Sequence, residues 1–134
     1  MFNSFDISVS GLVAHRILMD TTQANVANIH TTRDAQGRAN PYQRRFPLFA
    51  EADDGISGVR VAGIGRDDSA KLVHDPGHPD AIKEGPQAGM VRMPDISWPD
   101  EMIHAIEARR AYEANMTAME VSKQMVMADL RILA

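Results

Sequence analysis

From Asp100 to Ala134 the chain carries neither glycine nor proline. Wound as an α-helix, those roughly 35 residues extend on the order of 50 Å, a length that dominates a chain of this size. Trp98-Pro99-Asp100-Glu101 reads as the helix start. A proline there gives up only an N–H that the first turn leaves unpaired, and the two acids face the positive end of the helix dipole. Along the helix, Ala105, Tyr112, Met119, Val126 and Leu133 recur at heptad spacing with Arg109, Met116, Lys123 and Leu130 between them, which predicts one packing seam. Ala114, Ala118, Val121, Met125, Ala128 and Ile132 repeat the alternation of fours and threes on another side. A surface helix of a self-sufficient domain carries one apolar stripe, so a second one calls for cover from a second side.

A shorter helical pattern opens the chain. Leu12, His15, Met19, Thr22, Val26 and Ile29 fall on one stripe, and Ala14, Leu18 and Asn25 widen it. Asp6 or Ser8 is expected to cap its start. The polar and β-branched run Asn28-Ile29-His30-Thr31-Thr32 is expected to end it. This helix can cover one seam of the C-terminal helix but not both, and an uncovered apolar strip marks a partner surface. Met102, Met116, Met119, Met125 and Met127 lie on or beside the seams, where flexible thioethers fill irregular gaps. Arg109 and Lys123 read as solvated side chains with apolar stems. An alternative is that they pair with Glu113 or Glu120 of a neighbouring subunit and set its register.

Between the helices, Asp53-Asp54-Gly55, Pro76-Gly77 and Gly85-Pro86 punctuate the chain as turns. Short β-like runs at 45–51, 58–64, 71–74 and 89–93 separate them, and Val59 and Val61 alternate with Arg60 and Ala62 as in a half-buried strand. The expected fold is mostly α with a small β-rich insert. The N- and C-terminal helices pair as an antiparallel coiled coil, and the middle contains a β-hairpin. The divisions fall at 1–32 for the N-terminal helix, 33–99 for the insert and 100–134 for the C-terminal helix.

Several kinds of chemistry are disfavoured. With 14 Lys+Arg against 18 Asp+Glu and a formal charge of −4, electrostatic capture of nucleic acid or of an anionic membrane is not expected. The absence of cysteine removes disulfides, thiolate metal sites and thiol nucleophiles together. The first residues, Met1-Phe2-Asn3-Ser4-Phe5-Asp6, have no basic region before an apolar run, so a cleaved secretory signal is not expected. Nor does any stretch reach the ~20 apolar residues that cross a bilayer.

His74, Asp75, His78 and Asp80 form the one dense group of potential metal ligands, but Pro76, Gly77 and Pro79 forbid the helix on which the histidine spacing would converge. A rigid turn is expected instead, with Asp75 and Asp80 accepting from nearby backbone N–H groups. Gly63-Ile64-Gly65 lacks the Lys-Ser/Thr pair and the following helix of a phosphate loop. No catalytic, cofactor or metal residue is assigned. The alternatives are a small metal-dependent enzyme built on His74 and His78, or a soluble helical adaptor that is monomeric in isolation.

Ile7-Ser8-Val9-Ser10-Gly11-Leu12, Asn25-Val26-Ala27-Asn28 and Thr31-Thr32 at one end, with Glu101-Met102, Arg110-Ala111-Tyr112-Glu113-Ala114-Asn115 and Lys123-Gln124-Met125 at the other, resemble the axial rod and hook proteins of the bacterial flagellum. In the middle, Tyr42-Gln43-Arg44-Arg45 and the loop Asp75, Pro76, Gly77, His78, Pro79, Asp80, Ala81 resemble the proximal-rod members in particular. Ala24 and His30 stand where the family pattern has asparagines. The resemblance implies a structural subunit exported unfolded through the flagellar type III apparatus without a cleaved signal, folding as it joins a helical rod in the periplasm. Its implied partners are copies of itself, other rod subunits and the base or adaptor protein of the export apparatus. Another rod or hook component is the alternative within that family. The subunit contacts then fall on Leu12, Met19, Val26 and Ile29 of the first helix, and on Tyr112, Met116, Met119, Val121, Met125, Val126, Leu130, Ile132 and Leu133 of the second.

Overall fold

A computed structural model describes the backbone of residues 2–52 and 57–133 and the side chains of 4–52 and 57–132. The expected turn at Asp53-Asp54-Gly55 and the side chain of Leu133 lie outside the described residues. In chain order the elements are α1 (Phe2–Ala27), β1 (Arg44–Glu51), β2 (Val59–Asp67), β3 (Ala70–His74), β4 (Met90–Pro94) and α2 (Trp98–Leu133). The strands pair as two antiparallel hairpins, β1 with β2 and β3 with β4. All four overlie the β-like runs read from the sequence.

α1 starts at Phe2, ahead of the expected caps. Nothing among the first residues breaks a helix, so Asp6 and Ser8 stand inside it, and the Ser8 hydroxyl donates to the Ser4 carbonyl one turn back at 3.0 Å rather than capping. The end falls where short polar residues compete for the backbone: Asn28 Nδ2 donates to the Ala24 carbonyl at 2.8 Å, and the Thr31 hydroxyl donates to Asn28 Oδ1 at 3.1 Å. α2 begins as the Pro-Asp-Glu pattern predicts. The Glu101 N–H donates to the Ser97 carbonyl at 3.1 Å, leaving Pro99 in the first turn, where its missing donor costs nothing.

The two helices pack side by side and antiparallel. Asn25 of α1 meets Glu101 of α2, and Gly11 meets Asn115, so that a Cβ on Gly11 would stand 2.8 Å from the Asn115 amide nitrogen. The pairs lie equal steps apart, in opposite directions, along the two helices. Small and polar residues line the contact: Ser8, Gly11, Ala14, Thr22 and Asn25 are buried on α1, Glu101 and Ala108 on α2.

The expected seam is therefore half right. Ala105, Tyr112, Met119 and Val126 are half-buried, but Arg109, Met116, Lys123 and Leu130 are exposed. The intervening positions that turn inward are Ala108, Asn115, Ser122 and Asp129, one residue earlier in each heptad. Short side chains line the contact, and at Gly11 the space a Cβ would take is filled by the Asn115 side-chain amide. On α1 the centre likewise shifts toward Ala14, Thr22 and Asn25, while Leu12, Met19, Val26 and Ile29 flank it half-buried.

The β1–β2 hairpin lies on α1. The Val59 N–H donates to Ser10 Oγ at 3.1 Å, and the Phe49 ring stands 6.1 Å from the His15 ring. Opposite Phe46 in the register is Gly65, where a Cβ would come within 2.6 Å of the aromatic ring. Besides Pro47, Pro94 and Gly11, the buried apolar residues among those described are Ala14, Val91, Ile96 and Ala108, so directional polar contacts carry much of the assembly of these parts.

Those contacts converge on Asn25, 1% exposed. Its Oδ1 accepts from the Arg45 N–H at 2.9 Å, and its Nδ2 donates to the Arg45 carbonyl at 2.8 Å and to Glu101 Oε2 at 3.1 Å. The amide thus pairs with the edge of β1 as a strand would. Glu101, also 1% exposed, takes its other oxygen to Arg44 Nε at 2.6 Å, and its carboxylate sits in the first turn of α2, where the helix dipole favours negative charge. α1, β1 and α2 meet at this junction.

A second tie holds the loop between β3 and β4. Asp80 accepts from the Thr32 hydroxyl at 2.7 Å and from Arg33 Nε at 2.8 Å, while its N–H donates to His78 Nδ1 at 3.0 Å. Asp75 behaves as expected, its Oδ1 accepting from the Gly77 N–H at 3.2 Å. Asp80 instead reaches side chains distant in sequence. The Arg33 hydrogen bond, then that of Thr32, holds the Asp80 carboxyl below the usual carboxylate range.

Replacing Asn25 with alanine leaves the Arg45 backbone groups and a Glu101 oxygen without a buried partner, and lowers unfolding stability by about 3 kcal/mol in urea titrations. An acid with a depressed folded pKa stabilises the fold above its unfolded pKa and loses that contribution as pH falls through the folded value. The Asp80 tie is accordingly complete at neutral pH and released in acid below the ordinary carboxylate range. Amide NMR shifts of residues 75–82 record that release, and Asp80→Asn shows the released pattern already at neutral pH.

Candidate assembly surface

With α1 covering one side of α2, the second seam is left open. Ala114, Ala118, Val121, Met125, Ala128 and Ile132 are all exposed, Met125 to 58% and Ile132 to 81%. Of the residues expected at subunit contacts, Tyr112, Met119 and Val126 turn toward α1, half-buried, as do Leu12, Met19, Val26 and Ile29 from the other helix. Val121, Met125 and Ile132 face outward, as do Met116 and Leu130 of the first heptad seam.

Length matters as much as pattern. α1 has 26 residues and α2 has 36, and the Gly11–Asn115 and Asn25–Glu101 alignments set Phe2 level with the neighbourhood of Gln124. The last turns of α2, about nine residues or ~13 Å, run past the start of α1. Met125, Met127, Leu130 and Ile132 in that overhang are exposed.

More apolar surface is exposed than the seams predicted. Phe5, Val9 and Val13 form a stripe on the outer side of α1, Leu48, Phe49 and Ile64 project from the first hairpin, and Ile103 and Ile106 lie near the start of α2. The spacing of four in Phe5, Val9 and Val13 was visible in the sequence as a helical stripe of its own. The accessible surface of the chain is 9210 Å², about 2,300 Å² more than a compact monomer of 14.7 kDa exposes. A standard interface covers roughly 800 Å² of each partner, so the excess suffices for contacts on more than one side.

Of the charged positions in the predicted seam, Arg109 binds within the chain, its Nε donating to Glu113 Oε1 at 2.8 Å on the same helix face, with both side chains largely exposed. Lys123 is exposed beside Glu120, Gln124 and Arg131 along an open groove of α2. In the Asp75, Pro76, Gly77, His78, Pro79 and Asp80 loop, His74 is exposed and packs its ring near Gly89, while His78 Nδ1 is engaged by the Asp80 backbone. Among the described residues no three of His, Asp and Glu converge as metal ligands would, and no helix is long and apolar enough to cross a membrane.

The sequence of the chain is similar to those of known proteins. Residues 87–132, covering β4 and nearly all of α2, match the family described as flagellar basal body rod FlgEFG protein C-terminal. The flagellar basal-body rod protein FlgC of Borreliella burgdorferi is 39% identical, covering 99% of this chain and 97% of that protein. FlgC of Bacillus subtilis is 36% identical over 98% of this chain and 97% of its own length. FlgC of Aquifex aeolicus is also 36% identical, over 92% and 90%. A likeness that runs through both helices and the hairpins between them makes the chain a member of the FlgC family of flagellar basal-body rod proteins, a structural subunit rather than an enzyme.

Proposed function

We propose that the chain polymerises through its terminal helices as part of the proximal rod, contributing to both the drive shaft and the wall of the export channel. The observation that carries this reading is the open second seam of α2 with its overhang. A continuous exposed apolar helix face marks a partner surface, and among the described residues there is no third helix to cover it.

In this reading α1 and α2 form an antiparallel coiled coil that joins a tube of such pairs, and residues 33–99 sit outside it, against adjacent subunits. Val121, Met125, Leu130, Ile132 and Leu133 contact neighbouring helices. Leu12, Met19, Val26, Ile29, Tyr112, Met119 and Val126 hold the pair together and border the contact, with Met116 at its edge. The partners are further copies of the chain, other rod subunits, and the base or adaptor protein of the export apparatus. The route is export without a cleaved signal, followed by folding at the growing rod in the periplasm. A thin core with few fully buried apolar residues supports this route, because a chain held by modest burial is easily kept unfolded for passage.

Deleting residues 128–134 removes Leu130 and Ile132 and most of the overhang, while leaving the helix junction and both hairpins. The expected result is loss of motility and of rod incorporation, with the purified variant retaining its β signal in circular dichroism. Normal swimming in cells carrying only the truncated chain would refute the proposal.

A further inference from the structure

The base of the first hairpin carries different charge on its two faces. Arg45 pairs with Arg66 across the strands, and Arg44 pairs with Asp67. Residues directly opposite in an antiparallel pair share a face, and successive residues alternate faces. One face therefore presents two guanidinium groups, the other Arg44 with Asp67.

The arginine pair is unusually close. Asn25 engages both the N–H and the carbonyl of Arg45, so those groups are not shared with β2. That makes Arg45 and Arg66 a non-hydrogen-bonded pair, the closer of the two kinds. Like charges directly opposite are destabilising. Arg45 rests 5.4 Å over the Tyr42 ring, and Arg66 has no partner among the described residues. Both line an open cleft of about 500 Å³ that also includes Asn28, Asn40, Arg33 and Asp34; Arg33 is paired with Asp80 and Asp34 with Arg38, which leaves Arg45 and Arg66 as the guanidinium groups free to meet carboxylates.

The other face supplies carboxylates. A second cleft of about 500 Å³ is lined by Asp67, Asp95, Asp100 and Glu101, with Arg44 as its one guanidinium. Arg44 is committed to Glu101 and Asp67 to Ser69. Asp95 and Asp100 are exposed, with side chains that make no hydrogen bond or ion pair among the described residues.

We infer that the Arg45–Arg66 face of one subunit docks onto the Asp95–Asp100 face of the next copy, adding a directional ionic contact outside the helical tube. This inference rests on the rod-subunit reading and deepens it. Complementary patches on opposite faces of one element cannot satisfy each other in a two-fold dimer of like surfaces. They join head to tail, the arrangement that yields rings or open helical polymers. The apolar seam supplies adhesion without fixed register, and the ionic faces fix which neighbour sits where.

The test is a charge swap in cells lacking the native copy. Restoration of swimming by the unaltered chain establishes the rod-subunit reading. Arg66→Glu alone and Asp95→Lys alone are each expected to lower the yield of rod-bearing basal bodies by at least about tenfold, with normal protein levels on immunoblots. Both changes in one chain, or the two single variants expressed together, restore it, because alternating copies then meet only opposite charges. Arg45→Glu with Asp100→Lys probes the same faces through independent residues. Single variants that swim normally, or a pair that fails to rescue in both sets, would overturn the ionic contact while leaving the rod-subunit reading intact. An unaltered chain that does not restore swimming would overturn both.

Discussion

Everything else in the structure is arranged around one buried polar junction, Asn25 with the backbone of Arg45 and with Glu101, itself bound to Arg44. Apolar packing by small residues such as Ala14 and Ala108 would allow two helices to slide or rotate against each other with little penalty. A side-chain amide that must meet a backbone N–H, a carbonyl and a carboxylate has one position. Removing one partner from such a network leaves buried polar groups uncompensated, which is why a site of this kind specifies register more than it adds net stability. The hairpin is included in that specification because the Asn25 amide pairs with β1 as another strand's backbone would.

The junction also gives a physical reason for the segments that resemble the flagellar axial proteins. Asn25-Val26-Ala27-Asn28 supplies the amide and the helix end, Tyr42-Gln43-Arg44-Arg45 the strand edge and the guanidinium, and Glu101-Met102 the buried acid. Three stretches far apart in sequence are parts of one contact. The loop from Asp75 to Asp80 is explained in the same way, since Asp80 ties it to Thr32 and Arg33 just beyond α1. The histidines that gave that loop the look of a metal site serve its packing and its turn.

Much of the architecture was legible because it depends on period and punctuation. The long helix, its start at Trp98, the end of α1 and all four strands follow from helix breakers, turn residues and alternation. Hydrophobic spacing sets the intervening seam positions one residue too late in each heptad because size, not hydrophobicity, decides burial at this contact. Here the inward positions are Ala108, Asn115, Ser122 and Asp129, chosen for size, and the large residues Met116 and Leu130 point away. The caps at Asp6 and Ser8 failed for a related reason: a hydroxyl inside a helix can bond one turn back, so its presence does not fix a boundary. The antiparallel Arg45–Arg66 pair could not be seen at all without the strand register, which the bulge between Leu48 and Phe49 makes unreadable from residue spacing.

The same choice of small residues inside and large ones outside links the fold to assembly. Burying Gly11, Ala14 and Ala108 brings the helices close but removes little apolar area from water, and that area sets the hydrophobic gain. Most of the available gain remains on the outer faces, at Val13, Val121, Met125 and Ile132, and is realised only when other helices cover them. In the proposed assembly, covering these faces adds stability by mass action on the folded, associated form. The polar junction decides the shape that is presented, and the surface it leaves uncovered decides what that shape is for.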